Sequence, residues 1–168
     1  MAVAETAAHR AMLCKSRRHS GKGCLNGGPG PRRAWCSFIV RMIVGTGIDI
    51  TEIPRIQRSM DRFGARFLDR IYTADEKAYC LRKRNSAESL AARFAAKEAA
   101  AKALGTGISR GVTWREIEVV RQPGGKPSLR FHGRAAERAE RMGVRNSALS
   151  LTHSNEVAMA SVVLEDGR

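Results

Sequence analysis

An alanine-rich run without a helix breaker is the feature of this 168-residue chain that most restricts its fold. Residues Ser86–Leu104 contain neither glycine nor proline. Asn85, with Glu88 three residues later, marks a helix start, and Gly105 marks a helix end. The pattern therefore predicts one long helix near the middle of the chain.

Glu98 is unusual within this predicted helix, because it is an isolated carboxylate among alanines. A spacing of four residues sets it on one stripe with Leu90, Phe94 and Lys102, while Arg93 belongs to the adjacent stripe. Such a carboxylate fits neither a buried core nor an evenly solvated face. A basic group one turn away from it favours a chemical role.

Asp49 is a second isolated carboxylate, at the end of a predicted strand over residues 42–50. Gly45, Gly47 and Asp49 alternate onto one side of that strand, and the glycines leave this side bare, so something must pack closely against it. Both acids could be ordinary surface residues. Two separated carboxylates with basic neighbours also suit Mg²⁺, which takes its remaining ligands from water and from the phosphate of a substrate.

Residues 52–68 predict an amphipathic helix, because apolar positions recur there at intervals of three and four. Pro54 fits the first turn, where its missing N–H costs nothing. Arg58, Arg62 and Arg66 lie off the apolar stripe and predict one basic ridge. A basic ridge is usually a solvated face, but the lack of interleaved Glu indicates an acidic partner.

The remaining patterns predict a mixed fold. Thr73 and Glu76 form a capping-box pattern that opens a helix to about Lys83. The elements expected after the long helix are a strand over 114–120, a hairpin partner over 128–131, a helix over 133–142 and a second hairpin over 148–152 and 157–164. This order predicts an α+β fold with helices on one face of a largely antiparallel sheet.

The first 41 residues differ from the rest. They hold eight Lys/Arg and one acid, a net +7 of the formal +14 of the whole chain. Without a sustained apolar period or the apolar run of a signal peptide, residues 1–41 are expected to be disordered. They are either a basic tail or the product of an upstream start of translation, and we favour the second, because the folded pattern begins abruptly at Met42. Residues 42–168 are then expected to be the single folded domain.

Cysteine spacing and hydropathy indicate the compartment. Cys14, Cys24, Cys36 and Cys80 include no closely spaced zinc-binding pair and suggest no disulfide framework. No run of about 18 apolar residues predicts a membrane span. We therefore expect a cytoplasmic protein without a membrane partner.

Five short motifs occur in an order and spacing that resemble one family. They are Gly45-x-Gly-Ile-Asp49-Ile, Phe94-Ala-Ala-Lys97-Glu98-Ala, Gly105-Thr-Gly-Ile108, Gly125-Lys-Pro127 and Ser150-Leu-Thr-His153. In these motifs the chain is similar to the holo-[acyl-carrier-protein] synthases, the small bacterial-type 4′-phosphopantetheinyl transferases. The resemblance covers Met42 to about Glu165 and leaves residues 1–41 outside it.

The resemblance implies a reaction. Enzymes of this family move the 4′-phosphopantetheine arm of coenzyme A onto a serine of apo acyl carrier protein, for fatty acid biosynthesis, and release adenosine 3′,5′-bisphosphate. It implies that Asp49 and Glu98 bind Mg²⁺ against the coenzyme A diphosphate, and that Lys102 lies near the phosphates. Glu98, directly or through a water, is implied to help remove the serine proton.

The resemblance also implies binding residues and an assembly. Contacts to coenzyme A are implied for Arg84, Arg93, Gly105, Lys126 and His153. Contacts to the acidic carrier protein are implied for Arg55, Arg58 and Arg62. The family assembles as trimers with active sites at subunit interfaces, so a homotrimer is implied here.

Two other functions fit parts of the sequence. A nucleic-acid binder fits the high positive charge, but aromatic residues make up only 5% of the chain and no RNP-like motif is present for stacking on bases. We therefore expect no nucleic-acid partner. A trimeric scaffold without activity is disfavoured by the presence of Asp49, Glu98 and Lys102.

Overall fold

The structure is a computed structural model that describes residues 42–108, 111–121 and 124–167. The predictions made for residues 1–41 lie outside the described residues. In chain order the elements are β1 (Ile43–Glu52), α1 (Ile53–Ile71), α2 (Ala74–Leu81), α3 (Ser86–Ala103), a 3₁₀ turn (Trp114–Glu116), β2 (Ile117–Arg121), β3 (Pro127–Phe131), α4 (Gly133–Arg141), β4 (Val144–His153) and β5 (Val157–Asp166).

The strands form two antiparallel sheets. One has three strands in the order β1-β5-β4, and the other is the β2-β3 hairpin. Helix α3 lies on one face of the three-stranded sheet, where its alanines pack against buried residues of β5 such as Ala160 and Val162. The predicted α+β class with helices on one sheet face is confirmed.

Two glycines set the distance between β1 and α3. A Cβ atom on Gly47 would lie 2.0 Å from the carbonyl oxygen of Ala99, and one on Gly45 would lie 2.2 Å from that of Ala103. The bare side of β1 is therefore filled by helix backbone, as the strand pattern required. Asp49 continues on this side toward the end of the strand.

Helix α1 is interrupted where the sequence predicted a continuous ridge. Gly64 has φ 52° and ψ −130°, which breaks the helix, and a second helical segment then runs on to Ile71. The single ridge predicted over Arg58, Arg62 and Arg66 is therefore wrong. Arg66 belongs to the segment after the break, since the i to i+4 relation does not hold across a non-helical residue.

The strand predicted from Trp114 begins later than expected. Residues Trp114–Glu116 form a 3₁₀ turn, and β2 starts at Ile117. Glu116 turns back to accept hydrogen bonds from the backbone N–H (2.7 Å) and the hydroxyl (3.1 Å) of Thr113. This capping box closes a helical turn and postpones the strand.

Two of the other predicted ends are confirmed by their caps. Thr73 and Glu76 form the expected capping box at the start of α2. Gly105, with φ 69°, follows the last residues of α3 in the left-handed region that glycine favours. No helix in the described part of the chain is both long and apolar enough to cross a bilayer.

A buried ion pair joins α3 to α2 and β2. Lys97 is fully buried, and its Nζ donates to Oε2 of Glu76 at 2.8 Å and to the carbonyl oxygens of Trp114 at 2.9 Å and Ile117 at 2.6 Å. Glu76 in turn accepts a hydrogen bond from the backbone N–H of Val119 at 3.0 Å. Burial lowers the pKa of Lys97, and the Glu76 carboxylate opposes that shift.

Candidate active site

Asp49 and Lys102 form an ion pair between β1 and α3. Lys102 Nζ donates to Oδ1 of Asp49 at 2.8 Å and to the carbonyl oxygen of Ile48 at 3.0 Å. The Lys102 side chain is 52% exposed and that of Asp49 16% exposed, so the pair lies at the surface. The other Asp49 oxygen accepts a hydrogen bond from the hydroxyl of Thr51 at 3.2 Å. The fold thus brings the strand aspartate and the helix lysine together. Neither their spacing nor their adjacency in the sequence predicted this contact.

Glu98 lies one helical turn before Lys102 on the same stripe of α3 and is half-buried. Its Oε1 accepts a hydrogen bond from the indole Nε1–H of Trp114 at 2.7 Å. Within the described residues, Oε2 of Glu98 has no hydrogen-bond partner. One oxygen is therefore held by the protein and the other is open to a ligand.

The donor set of this region fits a hard divalent cation that a substrate shares. No group of three or more His, Cys, Asp or Glu side chains in the described part of the chain could hold a metal by itself. Asp49 and Glu98 offer carboxylate oxygens, which are the ligands that Mg²⁺ prefers, and the remaining positions are open. We call Asp49, Glu98 and Lys102 the acidic site.

A second group of predicted residues lines a cavity of about 300 Å³ at the end of β4. Arg93 and His153 both line it, with Pro127, Tyr79 and Arg121 beside them. Lys126 directly precedes Pro127 and is exposed. The cavity thus brings together two of the residues that the resemblance assigned to coenzyme A, Arg93 and His153, and we call it the basic cavity.

Arg93 contacts a backbone carbonyl and an aromatic ring in the basic cavity. It is buried, donates to the carbonyl oxygen of Ser89 at 3.2 Å, and its guanidinium carbon lies 4.4 Å from the ring centre of Tyr79. Burial opposes ionisation of Tyr79, but Arg121 and Lys83 outweigh it and lower the pKa of this phenol. Arg93 and Arg121 outnumber Glu88, the acid in the lining of this cavity, which suits an anionic ligand.

Two predicted residues do not join either group. Arg84 is exposed in the turn before α3, and Gly105 lies just beyond its other end. A helix of this length separates them by roughly 27 Å at 1.5 Å per residue, so they cannot contact one small ligand group together. Arg55, Arg58 and Arg62 are exposed on the first segment of α1.

Several site residues carried no recognisable signal in the sequence. Trp114 belonged to an apparent strand, and nothing in the pattern connected it with Glu98. Tyr79 and Arg121 lie in separate elements, α2 and β2, which only the packed fold brings together. The buried state of Lys97 was likewise hidden, although its position on the stripe next to Glu98 was visible.

Comparison with known proteins identifies the family. A profile of the 4′-phosphopantetheinyl transferase superfamily matches residues 45–160. The chain belongs to this superfamily. It is 58% identical over 125 residues to the holo-[acyl-carrier-protein] synthase of Koribacter versatilis, a match that spans 74% of this chain and 100% of the relative.

Solved structures show the same fold. The holo-[acyl-carrier-protein] synthase of Neisseria meningitidis is 37% identical with a TM-score of 0.68, over 74% of this chain and 100% of that one. The enzyme of Helicobacter pylori, crystallised in complex with coenzyme A, is 31% identical with a TM-score of 0.63, over 71% of this chain and 98% of that one.

Proposed function

We propose that this chain transfers the 4′-phosphopantetheine arm of coenzyme A to a serine of apo acyl carrier protein and releases adenosine 3′,5′-bisphosphate. The observation that carries this proposal is the acidic site, in a chain of this superfamily: Lys102 pairs with Asp49, and Glu98 lies one turn before Lys102 on the same stripe of α3. The full-length match to a holo-[acyl-carrier-protein] synthase and the coenzyme A bound to a relative support the same substrates.

The residues of the acidic site have the properties that attack on a diphosphate requires. The serine must be held in line, and the negative charge of the phosphoryl oxygens must be neutralised. Lys102 is exposed enough to reach a bound phosphate. The open oxygen of Glu98 is available to accept the proton that the serine loses. No covalent enzyme intermediate is needed.

We propose that Mg²⁺ is held by Asp49 and Glu98, whose carboxylates fit it. When bound, the ion supplies charge neutralisation at the diphosphate. Lys102 Nζ lies 2.8 Å from Oδ1 of Asp49, so the lysine would lie beside a phosphate bound at this site.

We assign the nucleotide end of coenzyme A to the basic cavity. Arg93 and His153 line it and Lys126 stands at its margin, which suits a phosphate group next to an adenine ring. Arg84 would extend this positive region, while Gly105 would act from the other end of α3. Arg55, Arg58 and Arg62, all exposed, form the surface proposed to dock the acidic carrier protein.

We further propose a homotrimer with active sites at the subunit interfaces. Within one subunit the acidic site lies beside β1 and the basic cavity beside β4, which are the two edge strands of the same sheet. This separation supports a site that a second copy completes. The sheet face opposite α3 also leaves Ile48 and Ile50 more than half exposed, as an interface between copies would require.

The direct test is the mass of apo carrier protein incubated with coenzyme A, Mg²⁺ and this protein. A gain equal to one phosphopantetheine group, abolished by a chelator, is expected. An unchanged mass with several purified bacterial carrier proteins would contradict the proposed function. The same assay on residues 42–168 alone tests whether this segment is the complete domain, and we expect full transfer.

Asp49→Ala and Glu98→Ala test the acidic site. Each should reduce transfer by at least about a thousandfold, because loss of a group that stabilises the transition state commonly costs 10²–10³ and each of these acids also holds the ion. Glu137→Ala, an exposed acid on α4, serves as the control and should keep full activity. Near-normal turnover of either acidic-site variant would show that the role assigned to it is wrong.

A further inference from the structure

We propose that Trp114 is a positioning residue for Glu98, a role that rests on the proposed function. Its indole N–H holds Oε1 of the carboxylate at 2.7 Å and so leaves Oε2, which has no hydrogen-bond partner among the described residues, available to a substrate. Trp114 is the only hydrogen-bond partner of the Glu98 carboxylate within the described residues. No other group there fixes the orientation of this side chain.

Trp114 is itself held from its backbone. Its carbonyl oxygen accepts a hydrogen bond from Nζ of the fully buried Lys97 at 2.9 Å. The 3₁₀ turn that carries it is closed by Glu116, whose two carboxylate oxygens accept backbone hydrogen bonds from Thr113 at 2.7 Å and Arg134 at 2.9 Å. The indole therefore projects from a turn that is fixed at both ends.

The ring of Trp114 is also fixed. It lies against the ring of Phe94 at a centroid distance of 6.1 Å, and the guanidinium of Arg70 lies 5.9 Å from its centre. Phe94 is one turn before Glu98 on α3, so the ring follows the same stripe of the helix. These contacts keep the N–H directed at the carboxylate.

A neutral donor suits a carboxylate that must remain reactive. A lysine at this position would form an ion pair with Glu98 and compete with a metal ion or a serine proton. Lys102, one turn away on the stripe, instead donates to Asp49 and to the carbonyl oxygen of Ile48. Glu98 is thus oriented by a group that carries no charge, and its own charge remains available.

Trp114→Phe tests this role, because it keeps an aromatic ring and removes the N–H. Since a hydrogen bond to a charged group is worth about 1.5–3 kcal/mol, we expect kcat to fall at least about tenfold. KM for the carrier protein should be unchanged, and the Mg²⁺ concentration for half-maximal activity should rise. Trp35→Phe, the same change outside the family match at 45–160, is the control and should alter none of these.

A second measurement does not depend on activity. Trp35 and Trp114 are the two tryptophans of the chain, so Trp35→Phe leaves Trp114 as the only indole emitter. Its emission should change when Glu98→Ala is added to Trp35→Phe, and adding Mg²⁺ with coenzyme A should shift the emission only while Glu98 is present. The thermal unfolding midpoints of all variants report whether they are folded.

The outcomes separate the two proposals. If the unaltered protein transfers no phosphopantetheine, the proposed function is wrong, regardless of the role of Trp114. If the unaltered protein is active, then kcat and Mg²⁺ dependence of Trp114→Phe equal to those of Trp35→Phe would overturn the positioning role. So would an emission spectrum that is the same with and without Glu98. A purely structural role would lower the unfolding midpoint without changing the Mg²⁺ dependence.

Discussion

The absence of a side chain at Gly47 determines how closely α3 approaches β1. A Cβ atom added to Gly47 would lie only 2.0 Å from the carbonyl oxygen of Ala99 in α3, which leaves no room for a methyl group. Only glycine, which has no Cβ atom, allows the helix to approach the strand so closely. This approach brings Lys102 within reach of Asp49, two residues further along the strand. The geometry of the acidic site thus depends on a residue that takes no part in its chemistry.

Gly47→Ala should therefore force the helix away from the strand. We expect a loss of about 1–3 kcal/mol or more in unfolding free energy, because the helix backbone cannot move aside cheaply. Transfer activity should fall as well, since the Asp49–Lys102 contact spans the same gap. Denaturant unfolding at equal protein concentration measures the first effect. Ser128→Ala, an exposed residue of β3, is the control, and equal stability of the two variants would refute the argument.

At the scale of elements, Lys97 determines how α2, α3 and β2 meet. Its single ammonium satisfies a buried carboxylate and two backbone carbonyl oxygens from three parts of the chain. Such a buried pair is not a large net source of stability compared with apolar packing, but leaving one partner unpaired is costly. The contact also locates the turn that carries Trp114.

Lys97→Met tests this junction, because methionine keeps the length and removes the charge. It leaves Glu76 buried without its cation, so we expect a loss of about 3–5 kcal/mol in unfolding free energy. Lys77→Met is the matched control, because Lys77 pairs with Asp69 at the surface and its loss should cost about 0–1 kcal/mol. Adding Glu76→Gln to Lys97→Met should recover part of the loss. Similar losses of unfolding free energy for Lys97→Met and Lys77→Met would show that Lys97 does not hold α2, α3 and β2 together.

At the scale of the whole molecule, the described fold leaves its sheet covered on one side only. Ile48 and Ile50 point away from α3 and are 55% and 62% exposed, and on the adjacent β5 the residues in register with them are Ser161 and Met159. Apolar side chains on one continuous sheet face are commonly an interface. The acidic site and the basic cavity lie at opposite edges of this same sheet, so one interface would both bury the face and complete the site.

Ile48→Glu should break that assembly. A charge in the middle of an apolar interface is costly to bury, so light scattering should give the mass of a monomer for this variant, against the proposed trimer for the unaltered protein. Helical circular dichroism should persist, and transfer should be lost. Leu81→Glu places the same charge on α2, where Leu81 is 50% exposed, and should leave the trimer intact. A trimeric, active Ile48→Glu protein would place the interface elsewhere.

Local patterns were sufficient where the physical cause is local. The glycine alternation in β1, the capping box of α2 and the unbroken alanine run of α3 each depend on neighbours within a few residues, and the structure confirms the elements they predict. The two carboxylates could be singled out for the same reason, because each is isolated within its own element. Where a local competitor was overlooked, the prediction failed, as at Gly64 and at the Thr113 capping box.

The sequence by itself thus determined the family, the α+β class and the candidate residues Asp49, Glu98 and Lys102. Only the tertiary structure decided what those residues touch. Three features depend on positions that are far apart along the chain. They are the hydrogen bond from the Trp114 indole to Glu98, the burial of Lys97, and the separation of the acidic site from the basic cavity. Such contacts follow from how α3 packs over β1 and β5. The periodicity of a single element shows which of its faces is buried, but it does not show which element packs against that face.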